Sequence, residues 1–352
     1  MTIRLGRREV LLGGAALAAS AAIAGPARAQ EPEFVLKLHH FLGPKAPAQA
    51  NMLEPWAKRV EEASGGRVKI EIYPSMSLGG TPAELIRQVR DGVVDLVWTV
   101  NGYSAGLFPR TEVFELPFIH TNNPIATNLA IAEIFDQYLA EEHQGTKVLF
   151  SHVHAGQAFH MVDTIVRKPE DFPGKKLRIP TRTGAWLVEA LGASPVSMPV
   201  PELTQALQRK VVDGALVPWE IIPAIKLQDL TQYQIEGHDK TRFGTTVFQV
   251  SMNGSKWDSL PDDIKKAFTD NSGEAWLREV GQIWRDVDEG GIKVAVDSGN
   301  EHITLTEEET KAFEAPLAPV VDRWIADVGG SGIDGKALVE AARAAIAKYS
   351  AA

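Results

Sequence analysis

The chain has 352 residues and no cysteine, and its 45 acidic side chains outnumber 36 basic ones, which gives a formal net charge of −9. The lack of cysteine excludes disulfide bonds, thiol catalysis and thiolate metal sites. The acidic balance argues against a nucleic-acid partner, which would call for a basic face.

The first 29 residues have the pattern of an export signal. Arginines precede an apolar run from Val10 to Ala24, and Ala27 to Ala29 form a cleavage pattern. The run is shorter than the about 20 apolar residues of a membrane span. We therefore predict a signal peptide at residues 1–29 and a mature periplasmic protein that does not span the membrane. The pair Arg7 and Arg8 favours the twin-arginine route, with Sec export as the alternative.

Strands alternate with helices behind this segment. Strands are predicted at Val35–His39, Val68–Tyr73 and Asp95–Val100, and helices at Ala48–Ala63 and Pro82–Asp91. Because strands that alternate with helices form βαβ units, we expect a parallel α/β sheet.

The alternation returns after His152. The further elements are a strand Gly174–Ile179, helices Thr183–Leu191 and Glu202–Arg209, strands Gly214–Val217 and Thr245–Met252, a long helical pattern that starts at Ser259, and a terminal helix Lys336–Tyr349. The about 320 residues behind the signal exceed the size at which one core stops growing, so two lobes are expected. The late strand indicates that a segment far along the chain completes one lobe.

Several segments, taken together, resemble the DctP-type solute receptors of tripartite ATP-independent periplasmic (TRAP) transporters. Their order and spacing cover nearly the whole chain behind the signal. They are IEIYPSMSLGG (Ile70–Gly80), VFELPF (Val113–Phe118), GKKLRIP (Gly174–Pro180), LGASPVSMP (Leu191–Pro199), ALQRKVVDG (Ala206–Gly214) and WDSLPDDIKKAF (Trp257–Phe268).

The resemblance implies an α/β protein with a two-lobed, periplasmic-binding-protein-like fold, hinge strands and a long helix that spans both lobes. We place lobe I at residues 30–155 plus 243–284 and lobe II at 156–242 plus 285–352. The implied function is that of a receptor, not an enzyme, which delivers an organic acid to integral-membrane TRAP permease subunits. No cofactor and no metal are expected.

Arg178 is the leading candidate for ligand binding, because it places a charge in an otherwise apolar strand. From the residue alone, a surface position or an internal ion pair is the alternative. The resemblance implies that this arginine binds the ligand carboxylate, and a guanidinium can do so with two charge-assisted hydrogen bonds. Arg182 would share its face if the strand continued. Pro180 and Thr183 favour a helix start there instead.

The chain departs from the family pattern at two positions. Many members carry another arginine in the segment that reads His154 to Ala158 here, where Gln157 offers only a neutral hydrogen bond. The asparagine that commonly contacts the ligand is Val217. Loss of one cation and one amide favours a monocarboxylate with an apolar or aromatic body.

Aromatic residues at predicted strand ends support this interpretation, because ligands of open α/β sheets bind there. For each of them, ordinary core packing is the alternative. The tryptophans are favoured over the phenylalanines, and His238 is a hinge or pocket candidate only. The candidates are Trp219, Trp98, Asn101, Tyr103, Phe41, Phe243 and His238.

An exported hydrolase or lyase that acts on a small carboxylate is the second interpretation. His152 and His154 would share one strand face, but a zinc site needs three or four protein ligands. Glu220 could bind a metal ion that accompanies the acid, as in some related receptors. Neither G-x-S-x-G nor H-E-x-x-H occurs. A third interpretation is that the protein is a receptor that also reports to a sensor kinase.

Overall fold

The structure is a computed structural model that describes residues 31–351. The predicted signal peptide therefore lies outside the described residues. Within the described range, none of the helices has the length and apolar character needed to cross a membrane.

The described residues form eleven strands in two sheets. The strands are β1 (Phe34–His39), β2 (Val68–Tyr73), β3 (Leu96–Val100), β4 (Thr146–Val153), β5 (Ala158–Met161), β6 (Lys176–Ile179), β7 (Ser194–Ser197), β8 (Gly214–Val217), β9 (Tyr233–Glu236), β10 (Val247–Asn253) and β11 (Glu301–Thr304). The first sheet has the order β2-β1-β3-β10-β4, and the second β11-β9-β5-β8-β6-β7. The predicted α/β class is confirmed, and β2 and β8 match their predicted limits.

Twelve α-helices accompany these strands in the described part of the chain. They are α1 (Glu54–Ala63), α2 (Leu85–Arg90), α3 (Pro124–Ile134), α4 (Arg182–Ala190), α5 (Val200–Gln208), α6 (Ile222–Ile225), α7 (Gly254–Ser259), α8 (Asp262–Asp270), α9 (Glu274–Asp297), α10 (Glu307–Lys311), α11 (Glu314–Gly329) and α12 (Gly335–Ser350). A π-helical turn at Ala48–Leu53 leads into α1, and a 3₁₀ turn at Pro82–Glu84 leads into α2.

Both sheets are mixed: the predicted parallel pairing is present where β1 pairs with β2 and β3 and where β6 pairs with β7 and β8, and antiparallel strands accompany it. Strand β10 runs antiparallel to β3 and β4, and β5 runs antiparallel to β8 and β9. Strands β5 and β10 each enter their sheet directly from the other sheet, without a crossover helix. Only parallel neighbours require a crossover helix, so the alternation of helices and strands in the sequence did not reveal these antiparallel strands.

Two short segments carry the chain between the sheets and are joined to each other by hydrogen bonds, and a third crossing, from β10 to β11, runs through α9. The first links β4 to β5, and the second links β9 to β10. The amide of Gln157 donates to the carbonyl of Gly244 over 2.7 Å, and the amide of Phe243 donates to the carbonyl of Gln157 over 3.0 Å. Gly156 has φ +107°, where a side chain would also strike Arg242. The crossings thus form one compact hinge-like pair.

Helix α9 connects the layers of both sheets. Its first half packs on α3 and β4, and its second half packs on β11 and on the 3₁₀ turn Trp219–Ile221. A methyl group at Gly281 would lie 2.6 Å from Ile125, and one at Gly291 would lie 2.0 Å from the Trp219 carbonyl. Glycine at both positions therefore permits close backbone approach. The lobe-spanning helix expected from the resemblance is present, although it begins at Glu274.

The long helical pattern from Ser259 is two helices, α8 and α9, rather than one. Helix α7 ends at Ser259, and Pro261 precedes α8. Asn271 to Gly273 separate α8 from α9. Proline and glycine interrupt the hydrogen-bonded ladder while the apolar periodicity continues, so the pattern alone suggested one continuous element.

The lobe limits stay a prediction, and one element departs from them. Helix α12 was assigned to lobe II with residues 285–352, yet it packs on α3, which lies against β4 of the first sheet. Its apolar face contributes Leu338, Ala342 and Ile346 to a cluster with residues of α3. The chain end therefore returns to the first sheet.

Candidate ligand-binding site

A cavity lies between the two sheets and is bounded by residues of both. The space between its lining atoms is about 490 Å³ with the open solvent at its mouth included, and most of its wall is apolar. Six of the nine residues predicted to bind ligand line it: Arg178, Trp98, Gln157, Tyr103, Phe41 and Val217. An apolar wall with a few polar groups is typical of small-molecule sites.

Arg178 is buried in the cavity wall with only 2% of its surface exposed. Its Nε donates to the carbonyl of Met198 over 2.9 Å, and its Nη1 donates to that of Leu216 over 3.4 Å. Among the described residues, no carboxylate forms an ion pair with it. Burial lowers the pKa of Arg178, yet a guanidinium stays protonated in proteins. The cavity therefore has one buried positive charge without a counter-ion in residues 31–351.

Tyr103 faces Arg178 from the segment that follows β3. Its phenol oxygen accepts hydrogen bonds from Arg178 Nη2 over 3.3 Å and from the Val200 amide over 2.9 Å. Burial raises the pKa of Tyr103, so the phenol is protonated. Because both contacts use the oxygen as acceptor, its own proton is available for a third partner.

Aromatic rings form one side of the cavity. Phe41 stacks on Trp98 with a centroid distance of 5.0 Å, and Trp98 stacks on Phe248 at 5.1 Å. Trp98 Nε1 donates to His152 Nε2 over 2.9 Å. This hydrogen bond satisfies the indole N–H and holds the Trp98 ring in place. The stacked rings therefore present a flat apolar wall.

His154 lies in the wall as a neutral hydrogen-bond donor. The Gly156 amide donates to its Nδ1 over 2.9 Å. Burial lowers the pKa of His154 well below its usual value, and the positive charge of Arg178 adds to the effect. The single proton must therefore reside on Nε2, which has no partner among the described residues.

Glu220 and Trp284 complete the polar part of the wall. Glu220 Oε2 and Trp284 Nε1 are buried without a hydrogen-bond partner in the part of the chain that the structure describes. Burial raises the pKa of Glu220 well above its usual value, and the neighbouring Asp288 raises it further. Both effects favour the protonated form of the carboxyl.

Two aromatic residues predicted to bind the ligand do not line the cavity. Trp219 was favoured most among them, but its ring packs in the second-sheet core at 5.1 Å from His160 and 4.8 Å from His302. Pro218 lines the cavity, and the next residue turns away into the 3₁₀ turn. Phe243 packs against Phe159 at 4.6 Å in the second-sheet core.

Two weaker candidates also lie outside the cavity wall. Asn101 is buried at the end of β3, but it is not a lining residue. His238 is exposed in a 3₁₀ turn between β9 and β10. Neither reaches the space that Arg178 borders.

Arg182 is excluded as a second carboxylate anchor. It is the first residue of α4, and the strand ends at Ile179, as Pro180 and Thr183 suggested. Its guanidinium pairs with Glu112 over 2.6 Å and with Asp327 over 2.6 Å. These carboxylates satisfy its charge away from the cavity.

The structure offers no support for a histidine metal centre. In residues 31–351, no group of three or more His, Asp or Glu side chains is arranged to hold a metal ion. His152 Nε2 accepts from Trp98, and His154 Nδ1 accepts from Gly156. From the sequence, His154 was a candidate for metal binding only. Trp284 was not a candidate, because a tryptophan on the apolar face of a helix is typical of the protein core.

The family is established by a match over most of the chain. Residues 38–327 match the model of the family described as bacterial extracellular solute-binding protein, family 7, DctP. The C4-dicarboxylate-binding periplasmic protein DctP of Rhodobacter capsulatus is 29% identical over 95% of this chain and 97% of the relative. The chain belongs to this family. It is a periplasmic solute receptor of the TRAP type rather than an enzyme, as predicted.

Solved structures of related receptors have the same two-lobed fold. A TRAP solute-binding protein from a marine metagenome, described as specific for aromatic acid ligands and bound to metahydroxyphenylacetate, is 39% identical with a TM-score of 0.87, over 90% of this chain and 99% of that one. A receptor from Rhodoferax ferrireducens with copurified benzoate is 38% identical with a TM-score of 0.87, over 90% and 98%. One from Bordetella bronchiseptica with bound mandelate is 26% identical with a TM-score of 0.82, over 90% and 99%.

Proposed function

We propose that this receptor binds an aromatic monocarboxylate and delivers it to a TRAP permease in the membrane. The observation that carries the proposal is the buried guanidinium of Arg178, which has no carboxylate partner in the described residues and borders an apolar, aromatic cavity. A carboxylate from outside the chain would supply the missing charge.

The acid end of the ligand has a defined set of donors. Arg178 supplies the positive charge, the Tyr103 phenol supplies a proton, and His154 Nε2 adds a neutral N–H. All three line the same cavity, and charge-assisted hydrogen bonds to a carboxylate are the strong ones. This set favours one carboxylate group, held at one end.

The body of the ligand meets apolar surface. Phe41, Trp98 and Phe248 offer stacked rings, and Val217 occupies the position where an amide is common in the family. An aromatic ring fits such a wall by stacking or by edge contact. The relatives with aromatic acids, benzoate and mandelate support the same ligand class.

Dicarboxylates are disfavoured because a second charge would find no cation. Arg182 is paired elsewhere, and Arg242 is buried between Glu236 and Asp288. The second carboxylate of succinate or malate would lose its hydration without a counter-charge, which is costly. Neutral aromatic compounds would in turn leave Arg178 unpaired.

Isothermal titration of the mature protein tests this proposal. Benzoate and phenylacetate should bind, whereas succinate, malate and benzyl alcohol should bind at least about a hundredfold more weakly. Removal of one partner of a buried ion pair costs about 3–5 kcal/mol, and 1.4 kcal/mol is a factor of ten. Arg178→Ala should thus weaken benzoate binding by more than about a hundredfold.

Arg209→Ala is the matched control, because Arg209 is an exposed arginine at the end of α5. It should leave the affinity unchanged. If Arg178→Ala bound benzoate within tenfold of the wild type, or if dicarboxylates bound best, the proposed ligand class would be wrong.

A further inference from the structure

Three residues of the cavity wall carry a buried polar atom without a partner in residues 31–351. They are His154 with its Nε2, Glu220 with its Oε2 and Trp284 with its Nε1. Buried polar atoms are nearly always hydrogen-bonded, so each unpaired atom needs an explanation. Because these three residues line one cavity, a bound ligand can supply the missing partners.

Glu220 and Trp284 lie on the side of the cavity that is next to α9. Glu220 belongs to a 3₁₀ turn that packs on α9, and a side chain at Gly291 would lie 3.0 Å from the Glu220 amide nitrogen. Trp284 is a residue of α9 itself. Arg178 instead contacts Tyr103 and two carbonyl groups that do not belong to α9.

We infer, on the basis of the function proposed above, that Glu220 selects aromatic acids that carry a hydroxyl group on the ring. The hydroxyl forms a hydrogen bond with the carboxyl of Glu220, on the α9 side of the cavity. The Nε1–H of Trp284, a residue of α9, offers a second, donor contact. Glu220 is therefore a specificity-determining residue.

A hydroxyl suits this place better than other substituents. It donates and accepts at once, as does a protonated carboxyl, and the indole N–H can only donate. A second carboxylate would meet Glu220 and the buried Asp288. A methyl or hydrogen at the same position would leave the carboxyl oxygen desolvated and unpaired, which costs affinity relative to the hydroxylated acid.

The test compares each parent acid with its hydroxylated derivatives. Isothermal titration is performed on the wild-type protein with benzoate, phenylacetate and the three monohydroxy isomers of each. We expect at least one isomer to bind about tenfold or more tightly than its parent, because a satisfied buried carboxyl replaces an unsatisfied one. Equal or weaker binding of every isomer would overturn the inference.

Variants of Glu220 then assign the preference to its carboxyl. Glu220→Leu should abolish the preference, so that the hydroxylated isomer and its parent acid bind with affinities within about threefold of each other. Glu220→Gln retains a donor and an acceptor and should keep most of the preference. Glu289→Gln is the control, because Glu289 is an exposed acid on α9 that does not line the cavity. Retention of the full preference in Glu220→Leu would refute the role of Glu220.

The outcomes separate this inference from the proposed function. If no aromatic monocarboxylate bound, the proposed function would fail. If parents and hydroxylated acids bound equally, only the role of Glu220 would fail. Binding that vanished in a chelator and returned with a divalent cation, or a preference for amino-substituted acids, would assign Glu220 to a positive partner and likewise contradict the inference.

Discussion

Arg178 Nη2 lies 3.3 Å from the phenol oxygen of Tyr103, so one hydrogen bond joins the second sheet to the segment that follows a strand of the first. The Val200 amide donates to the same oxygen from the start of α5. Tyr103 is thus held by two groups of the opposite layer. The arginine is oriented before a ligand arrives, and none of its described acceptors is charged.

The phenol of Tyr103 should contribute to affinity in its own right. In Tyr103→Phe the ligand loses one neutral donor, while Arg178 keeps its bonds to Met198 and Leu216. We expect benzoate to bind about 2- to 13-fold more weakly, because a neutral hydrogen-bond donor contributes about 0.5–1.5 kcal/mol. Titration calorimetry measures this change. A loss as large as that of Arg178→Ala would indicate that Tyr103 holds the arginine in place rather than the ligand.

Arg182 should act on stability and not on ligand binding. Arg182→Ala leaves the largely buried Glu112 without its partner and removes the pair with Asp327. Burial already raises the pKa of Glu112, so the variant should unfold at a lower denaturant concentration. Its affinity for benzoate should stay within about twofold, since no ligand contact is lost. A large loss of affinity with unchanged stability would restore Arg182 as an anchor.

The predicted lobes should move together when ligand binds. The hinge-like crossings around Gly156 and Gly244 connect the sheets near the cavity. Small-angle scattering should give a smaller radius of gyration with saturating benzoate than without it, because closure brings rigid lobes together. Arg178→Ala at the same ligand concentration should scatter like the empty protein. Identical curves for empty and saturated wild type would argue for a preformed closed site.

Glu115 should make stability depend on pH. Its carboxylate accepts from the Thr183 hydroxyl over 2.8 Å and from the Val247 amide over 3.0 Å. Burial raises its pKa to about 7. The folded state thus binds the proton more tightly than the unfolded state, so stability is full below the unfolded pKa and falls as the pH rises through 7.

Glu115→Gln removes this titration while it keeps an acceptor for Val247. Between pH 5 and pH 8 the wild type should lose about 2–3 kcal/mol relative to the variant. Urea unfolding at both pH values measures the difference. Parallel pH profiles of the two proteins would show that the carboxyl is ionised throughout this range.

His152 should have the opposite effect. It is neutral and accepts from Trp98 Nε1, and burial lowers its pKa to about 3. Because the folded pKa lies below the unfolded one, its contribution is present above about pH 6.5 and is lost as the pH falls. His152→Gln keeps an acceptor without a titration. From pH 7 to pH 5, the free energy of unfolding of the wild type should therefore fall by about 2 kcal/mol relative to that of the variant. A constant gap in urea unfolding would contradict this.

Local sequence revealed the parts of the site that lie in regular elements. Arg178 was found because it puts a charge between the apolar residues Leu177 and Ile179 of a strand, and Trp98 because it lies two residues before the end of β3. In a strand, alternation decides which side chains face the cavity. The prediction for Trp219 failed because that residue begins a 3₁₀ turn, where alternation no longer applies.

Other parts depend on contacts between distant segments. The donor on His154 exists because the Gly156 amide occupies Nδ1 and burial removes the positive charge. Trp284 reaches the cavity only because glycines let α9 approach both layers. No spacing in the sequence encodes either fact. Likewise, mixed pairing of β5 and β10 follows from the two crossings between sheets.

Helix α9 fixes a distance as well as a position. Gly281 lies in close contact with Ile125 beside the first sheet, and Gly291 lies in close contact with the Trp219 carbonyl beside the second. Ten residues of α-helix separate them, or about 15 Å at 1.5 Å per residue. A helix can change its length only by unwinding. As long as both contacts persist, the predicted lobes can rotate about α9 but cannot move apart along its axis. The cleft between them should therefore open by rotation.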